Sequence, residues 1–299
     1  MTDVSFPEHE YLTVKELADL LRLKERKVYD LAASGAVPCA RATGKLLFPA
    51  AEIRDWIARS QSGALPVPSA PAVARPNILL GSHDPLLDWA LRQSRCGLAS
   101  FYDGSLDGVA RFARHEGIAS GVHVLDPATG IWNVPVVSAG VADQNAVLVA
   151  FAQRQRGLVF RKDGPVFAAL GDLAGARFVP RQAESGSDVL FRNLAEREGL
   201  DLAELVLCDV ARTEDEAVEL VRLGDADATF GLEAVACSHG LGFHPVIEES
   251  FALLVDRRAW FEPAMQQLMA FCQSAAFRNR AQVYGGYDIS ALGTVLWNA

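Results

Sequence analysis

The chain has 299 residues, half of them hydrophobic and 22% charged, with a formal net charge of −9; that length exceeds one average domain and supports two or three. No run approaches the roughly 18 uninterrupted apolar residues of a membrane span, and MTDVSFPEHEYLT at the start has neither the basic nor the apolar region of a secretory signal, so a cytoplasmic protein without membrane contact is expected. Cys39, Cys96, Cys208, Cys237 and Cys272 are odd in number and lack a CxxC pair, which points to reduced, mostly buried thiols rather than disulfides or a zinc site.

Charge is uneven along the chain. The first 63 residues hold nine basic and nine acidic residues, so the acidity belongs to the remainder, and four of the five lysines (Lys15, Lys24, Lys27, Lys45) lie in the neutral front. There, Thr13-Val-Lys-Glu16 is a capping-box pattern that starts a helix through Leu21 with Val14, Leu17, Ala18 and Leu21 on one face. A break at Arg22-Leu23-Lys24 leads to a second helix, Glu25 to Ala33, ended by Ser34-Gly35; Arg22, Lys24, Arg26 and Lys27 cluster at its start. Two short strands around Thr43-Gly44 (PCARATGKLLF) make a wing carrying Arg41 and Lys45, and Ala50 to Arg59 closes as a helix with Ile53, Trp56 and Ile57 inward.

YLTVKELADLLRLKERKVYDLAASGAVPCARATGKLLFPAAEIRDWI resembles the winged helix-turn-helix of the excisionase and MerR-related DNA-binding family. The resemblance implies a double-stranded DNA partner, with Lys24, Arg26, Lys27 and Tyr29 on the recognition helix and Arg41 and Lys45 on the wing meeting it. A solvated basic face on a protein-interaction module is the alternative. Because the head is neutral, a single copy would bind DNA weakly, so two heads in a homodimer are expected. Residues 1–59 are thus one domain. SQSGALPVPSAPAVARP, 60–76, is Pro/Ala-rich and reads as a semi-rigid spacer.

From Asn77 the pattern alternates strand, polar turn and helix, which argues a mostly parallel sheet with ligands beyond the carboxyl ends of the strands. Asn77 to Gly81 is a strand, Ser82-His83-Asp84-Pro85 a turn and Leu86 to Gln93 a helix. Leu98 to Phe101 is a strand, and Tyr102-Asp103-Gly104-Ser105 precedes a helix, Leu106 to His115, with Leu106, Val109, Ala110 and Ala113 inward. Ala119 to Leu125, Asn145 to Phe151 and Gly157 to Phe160 read as further strands, and Val166 to Leu173 as helix. A strand at Ala176 to Val179 then enters a turn where Ser185, Gly186 and Ser187 open a helix, its free N–H groups and hydroxyls suited to an anion. Thr213 to Leu223 is an amphipathic helix, Asp225 to Gly231 a strand, Leu232 to His239 a helix, and Phe243 to Asp256 a strand pair or one long return strand. Trp260 to Tyr284 closes with Phe261, Met265, Leu268, Met269 and Cys272 inward.

GSHDPLL (81–87), YDGSLDGVA (102–110), GVHVLDPATGIWNVPVV (121–137), RQRGLVFRKDGP (154–165), FVPRQAESGS (178–187), GDADATFGLEA (224–234) and the EES of 248–250 together resemble the type II periplasmic-binding-protein fold, in its variant fused to a helix-turn-helix and related to molybdate-binding proteins. The resemblance implies an α/β two-lobed body at 77–299: one lobe from 77–152 and 251–299, the other from 153–250, closing over a small anionic or polar ligand, molybdate or tungstate foremost and a small organic acid or sulfonate as the rival. Ser82, Ser105, Ser185 and Ser187 either line the cleft or serve as plain helix caps. His83 and His123, at neighbouring strand ends, are ligand contacts or structural histidines. Glu184 adds a negative charge beside the site, which disfavours a crowded dianion unless Arg181 offsets it; Asp103, Asp107 and Asp126 suit hydroxyls or an amine, and Tyr102 and Trp132 either stack on an organic ligand or pack in the core.

The sequence has no P-loop, GxSxG or HExxH, and Lys162, in a charged turn, is the body's one lysine. Ser82, His83 and Asp84 are adjacent in sequence and unsuited to a catalytic triad. The expectation is therefore a transcription regulator that is not an enzyme and needs no cofactor or metal; the alternative is a cytosolic solute-binding protein whose head contacts another protein.

Overall fold

A computed structural model describes residues 10–42, 44–59, 74–183 and 185–299. Most of the 60–76 spacer, Thr43 and Glu184 lie outside the described residues, as does the side chain of Arg41. The chain divides into two compact units, Met1–Ala72 and Val73–Ala299.

In the first unit, β1 (Tyr11–Thr13) leads into α1 (Val14–Leu21) and α2 (Glu25–Ala33); β2 (Ala40–Ala42) and β3 (Lys45–Pro49) form the wing and α3 (Ala50–Arg59) follows. The sheet order is β1-β3-β2, all antiparallel, with Leu12 opposite Phe48. β1 escapes the sequence reading because three residues are too few to show an alternation. Leu12, Leu17, Val28, Phe48 and Ile53 make the core, with Trp56 and Ile57 packed against it. The capping box is formed: Thr13 Oγ accepts the Glu16 N–H at 3.3 Å while the Glu16 carboxylate accepts the Thr13 N–H at 2.7 Å. Thr13→Ala should destabilise the head by about 1 kcal/mol, read from its urea transition, whereas Thr13→Ser should leave it near wild type.

The second unit begins with β4 (Ile78–Gly81), α4 (Pro85–Ser94), β5 (Ala99–Tyr102), α5 (Ser105–Ala113), β6 (Ala119–Val122) and α6 (Val134–Val141). β7 (Ala146–Phe160) then crosses the molecule to β8 (Arg177–Val179), α7 (Gly186–Glu198), β9 (Val206–Leu207), α8 (Glu214–Leu223), β10 (Ala228–Leu232) and α9 (Glu233–Ser238). β11 (Gly242–Asp256) crosses back, and α10 (Pro263–Cys272), α11 (Ala275–Tyr284), β12 (Tyr287–Asp288) and β13 (Val295–Asn298) finish the chain. One sheet of ten strands, in the order β5-β4-β6-β11-β7-β10-β8-β9 with β12 and β13 on β7, runs through the whole body.

Two lobes share that sheet. On one side Leu79, Phe151, Phe251 and Phe277 pack one face and Phe112, Val122, Leu148 and Leu254 the other. Beyond the middle of β7 and β11, Leu158, Phe178, Phe191 and Phe230 form one core and Val159, Val218, Val221 and Val235 another. The crossing strands are paired antiparallel along their length, Glu249 opposite Arg154 and Phe251 opposite Ala152, with bulges at Pro245 and after Phe251. A bulge admits Pro245, which cannot donate to a regular ladder. Gly81 and Gly108 let α5 lie directly on β4: a Cβ on Gly108 would stand 2.3 Å from Gly81 Cα.

The chain enters the body through a clamp. Arg75, its side chain 6% exposed, donates to the carbonyls of Phe112 and Gly117 (2.5 and 3.1 Å) and to Gln144 Oε1 (2.6 Å), pairs with Asp256 at 3.2 Å and lies over the Phe112 ring.

Several expectations are corrected. The segments 145–151 and 157–160 are one strand, because Arg154 and Arg156 are buried within it rather than looped out. Only Leu170–Leu173 of the expected 166–173 helix is helical, as a 3₁₀ turn. In α5 the inward residues are Ser105, Gly108, Val109 and Phe112; Leu106 and Ala110 are exposed, since the helix packs through Gly108 directly on Gly81 of β4. The closing helix is two helices broken at Gln273-Ser274, and Phe261 is 75% exposed ahead of them. All five cysteines are free thiols, but only Cys96 and Cys272 are buried; Cys39 and Cys237 are exposed.

Candidate functional site

The loops after β4, β5 and β6 end on one side of a cleft, and the N-terminal turns of α7 and α8 end on the other. The cleft has a volume of about 690 Å³, within the range of small-molecule sites. Ser82, His83, Asp103, His123, Arg181, Ser185 and Ser187, all singled out from the sequence, line it together with Tyr102, Asp107, Gly186, Arg212 and Glu214.

Ser105 is the exception. It is fully buried, with its hydroxyl 2.8 Å from Ser82 Oγ and accepting the His123 N–H at 3.0 Å. It therefore fixes two wall residues without reaching the cleft. Asp126 is likewise outside the wall, its carboxylate accepting from Ala128 N and Thr129 Oγ1 in its own turn, and Trp132 packs against the core of the second lobe.

Ser185 satisfies both readings made of it. As N-cap it accepts the Asp188 N–H at 3.1 Å, and it lines the cleft beside Gly186 and Ser187. Free first-turn N–H groups and the helix dipole give this corner a preference for negative charge. Arg181 adds to it: its guanidinium donates to the carbonyls of Ala211 and Arg212, at 3.2 and 2.8 Å, and has no carboxylate partner within ion-pair distance among the described residues. Burial pulls its pKa down while Glu214 pushes it back up.

The first-lobe wall has the opposite character. Asp103 has no hydrogen-bond or ion-pair partner for its carboxylate among the described residues, whereas Asp107 is paired with Arg111 at 2.7 Å. His83 and Tyr102 meet edge to face at 5.3 Å, and burial raises the Tyr102 pKa, its buried hydroxyl having no partner among the described residues.

Behind the cleft runs a chain of charges that the sequence reading missed. The Tyr287 hydroxyl donates to Asp84 at 2.7 Å; Arg154 donates to Asp84 at 2.9 Å and also to Glu249; Arg156 donates to Glu249 at 2.8 Å and to Glu214 at 3.3 Å. Arg154, Arg156, Asp84 and Glu249 are at most 1% exposed. Burial alone would raise the Glu249 pKa, but Arg154, Arg156 and His123 hold it well below the usual carboxylate range. Glu214 is lowered in the same way, chiefly by Arg156 against its own burial. The signal was present: Arg154 and Arg156, two apart, fall on one face of a strand otherwise apolar.

In the head, Thr13, Val14, Lys15, Glu25, Tyr29, Lys45, Leu46 and Leu47 line a concave surface between α1, α2 and the wing. Tyr29 and Lys45 thus stand together; Lys24, Arg26 and Lys27 are exposed on α2 or at its cap, outside this surface. Lys15, which the sequence reading left unassigned, joins them.

The helix-turn-helix domain family matches residues 11–61 and the PBP superfamily domain matches 89–273. The chain is similar over nearly its full length to the uncharacterized protein YvgK of Bacillus subtilis (strain 168): 23% identity over 300 residues, covering 95% of this chain and 97% of the relative. Its fold resembles a putative phosphate ABC transporter substrate-binding protein with bound phosphate from Clostridium perfringens, with a TM-score of 0.52 and 12% identity, covering 69% of this chain and 96% of that one. An ABC-type phosphate transport receptor from Vibrio cholerae gives 0.46 and 12%, covering 71% and 98%. No described helix is long and apolar enough to cross a membrane. With a two-lobed, cleft-bearing body behind a winged helix-turn-helix, the chain belongs to the PBP superfamily and carries a DNA-binding type of domain in front.

Proposed function

We propose that this protein is a cytoplasmic, one-component transcription regulator. It acts by binding rather than catalysis. The cleft takes a small anionic solute, and lobe movement re-spaces two helix-turn-helix heads of a homodimer on double-stranded DNA. The observation that carries the solute reading is the meeting, in one cleft, of Arg181 with the Ser185 and Ser187 hydroxyls and helix N–H groups, opposite Asp103, neither Arg181 nor Asp103 having an ion-pair partner among the described residues. That pairing of charges, and a volume well above that of a four-oxygen ion, support an organic anion that also carries a hydroxyl or amine. Molybdate or tungstate is the second reading, supported by the hydroxyl and N–H donors at the start of α7.

A thermal-shift screen over molybdate, tungstate, phosphate, small carboxylates, sulfonates and amino acids separates the two; a solute at 100 times its Kd should add about 2.7 kcal/mol. A gel shift on the DNA upstream of the protein's own gene, with and without the hit, tests the regulator. Coupling in the usual range would change DNA affinity roughly 5- to 150-fold. Unchanged affinity with every solute that binds would leave a solute-binding protein whose head serves another contact. Lys45→Ala should weaken DNA binding about equally on all sequences and lower the salt slope by about one, measured by anisotropy at several salt concentrations.

A further inference from the structure

Four contacts meet at His123. Its backbone N–H donates to Ser105 Oγ at 3.0 Å, and its Nδ1 lies 3.2 Å from Glu249 Oε2. Gly186 is seated on it from the other lobe: a Cβ at that position would stand 2.9 Å from Cε1 and 3.0 Å from the His123 carbonyl oxygen. The ring is also stacked on Phe251, centroids 6.0 Å apart. Ser105 and His123 belong to the first lobe, Gly186 opens α7 in the second, and Glu249 is on the crossing strand β11. One cleft-wall residue therefore touches the hinge and the far lobe at once.

The ring has little freedom. Glu249 is an anion held by Arg154 and Arg156, so the nitrogen facing it, Nδ1, carries the proton, and Nε2 is left with its lone pair. Glycine at 186 is what makes the seat possible, because any side chain would push α7 away from the imidazole.

We propose that His123 is the seat on which the second lobe closes: Gly186 docks on the imidazole, Glu249 holds the imidazole in place, and the hinge arginines hold Glu249. Closure is then stabilised by the protein's own contacts, and a solute adds to a closed population that these residues set. His123 acts here as a positioning residue. The idea rests on the two-lobed cleft reading given above, but its test needs neither solute nor DNA, so the two fail separately.

The experiment is double electron–electron resonance on the full chain, with Cys39, Cys208 and Cys237 replaced by serine and nitroxides placed at Ala110→Cys on α5 and Leu223→Cys on α8. The parent should give a single short-distance population. Gly186→Val should lengthen the mean distance by more than about 2 Å, and Gly186→Val with His123→Ala should return toward the parent, because the new side chain occupies the space the imidazole leaves. A distribution for Gly186→Val that superimposes on the parent would overturn the proposal. So would a double variant opened as far as Gly186→Val alone, since the imidazole would then not be what the new side chain meets. Gly186→Ala, a smaller insertion away from the chain of charges, should open the lobes less than valine does and carries the same test if a double variant does not fold.

Discussion

Glu249→Ala should destabilise the body by about 3–5 kcal/mol, because removing one partner leaves the charges of Arg154 and Arg156 buried without compensation. For a domain of this size that lowers Tm by roughly 10 °C. Glu249→Gln keeps the volume and an acceptor and should lose less. The pH dependence has a definite sign. The folded-state pKa of Glu249 is depressed, so its stabilisation is present at neutral pH, begins to fade as the pH falls below the ordinary carboxylate value of about 4, and is gone once the folded-state pKa is passed. Scanning calorimetry across the acid range should show Tm falling more steeply for the wild type than for Glu249→Gln. Parallel curves for the two would mean that Glu249 is not the group responsible.

Arg181→Met should weaken solute binding about 30- to 1000-fold, equivalent to about 2–4 kcal/mol, since a partly buried anion would lose its cationic partner. Calorimetric titration with the anion giving the largest thermal shift reads this directly. Arg181→Lys should recover part of the loss but not all, because an ammonium does not reproduce the planar fork of a guanidinium already donating to Ala211 and Arg212. An unchanged Kd in Arg181→Met would move the anion elsewhere in the cleft.

Apart from the three-residue β1, the elements of the head were legible because their signals are local: a capping box at Thr13 and Glu16, a break at Arg22-Leu23-Lys24, where the structure has Arg22 in the left-handed region, and a turn at Gly44. The cleft was legible for a related reason. Ser82, Asp103 and Ser185 sit at strand-to-helix turns, and in an α/β sheet such turns gather at one end. What could not be read was whatever long-range pairing decides. AQRQR looks like a polar break between two strands, yet Gln153 and Gln155 point one way while Arg154 and Arg156 point into a charge network whose carboxylates, Asp84, Glu214 and Glu249, lie 58 to 95 residues away. Nor does the sequence around Ser105 reveal that its hydroxyl is turned inward to Ser82 and His123; only the packing of α5 on β4 through Gly81 and Gly108 shows it. The VPVVSAGV stretch of α6, half of it valine and its one polar residue Ser138, carries no period to distinguish helix from strand.

The grip of Arg75 on the first lobe bears on how the body can be produced alone. A fragment starting at Ile78, where the body's first strand begins, would take the Arg75 guanidinium from the Phe112 and Gly117 carbonyls and from the Asp256 carboxylate, and uncover one side of the Phe112 ring. Starting three or four residues upstream would retain that fastening, so the natural point of severance lies before Arg75, not at the edge of the sheet.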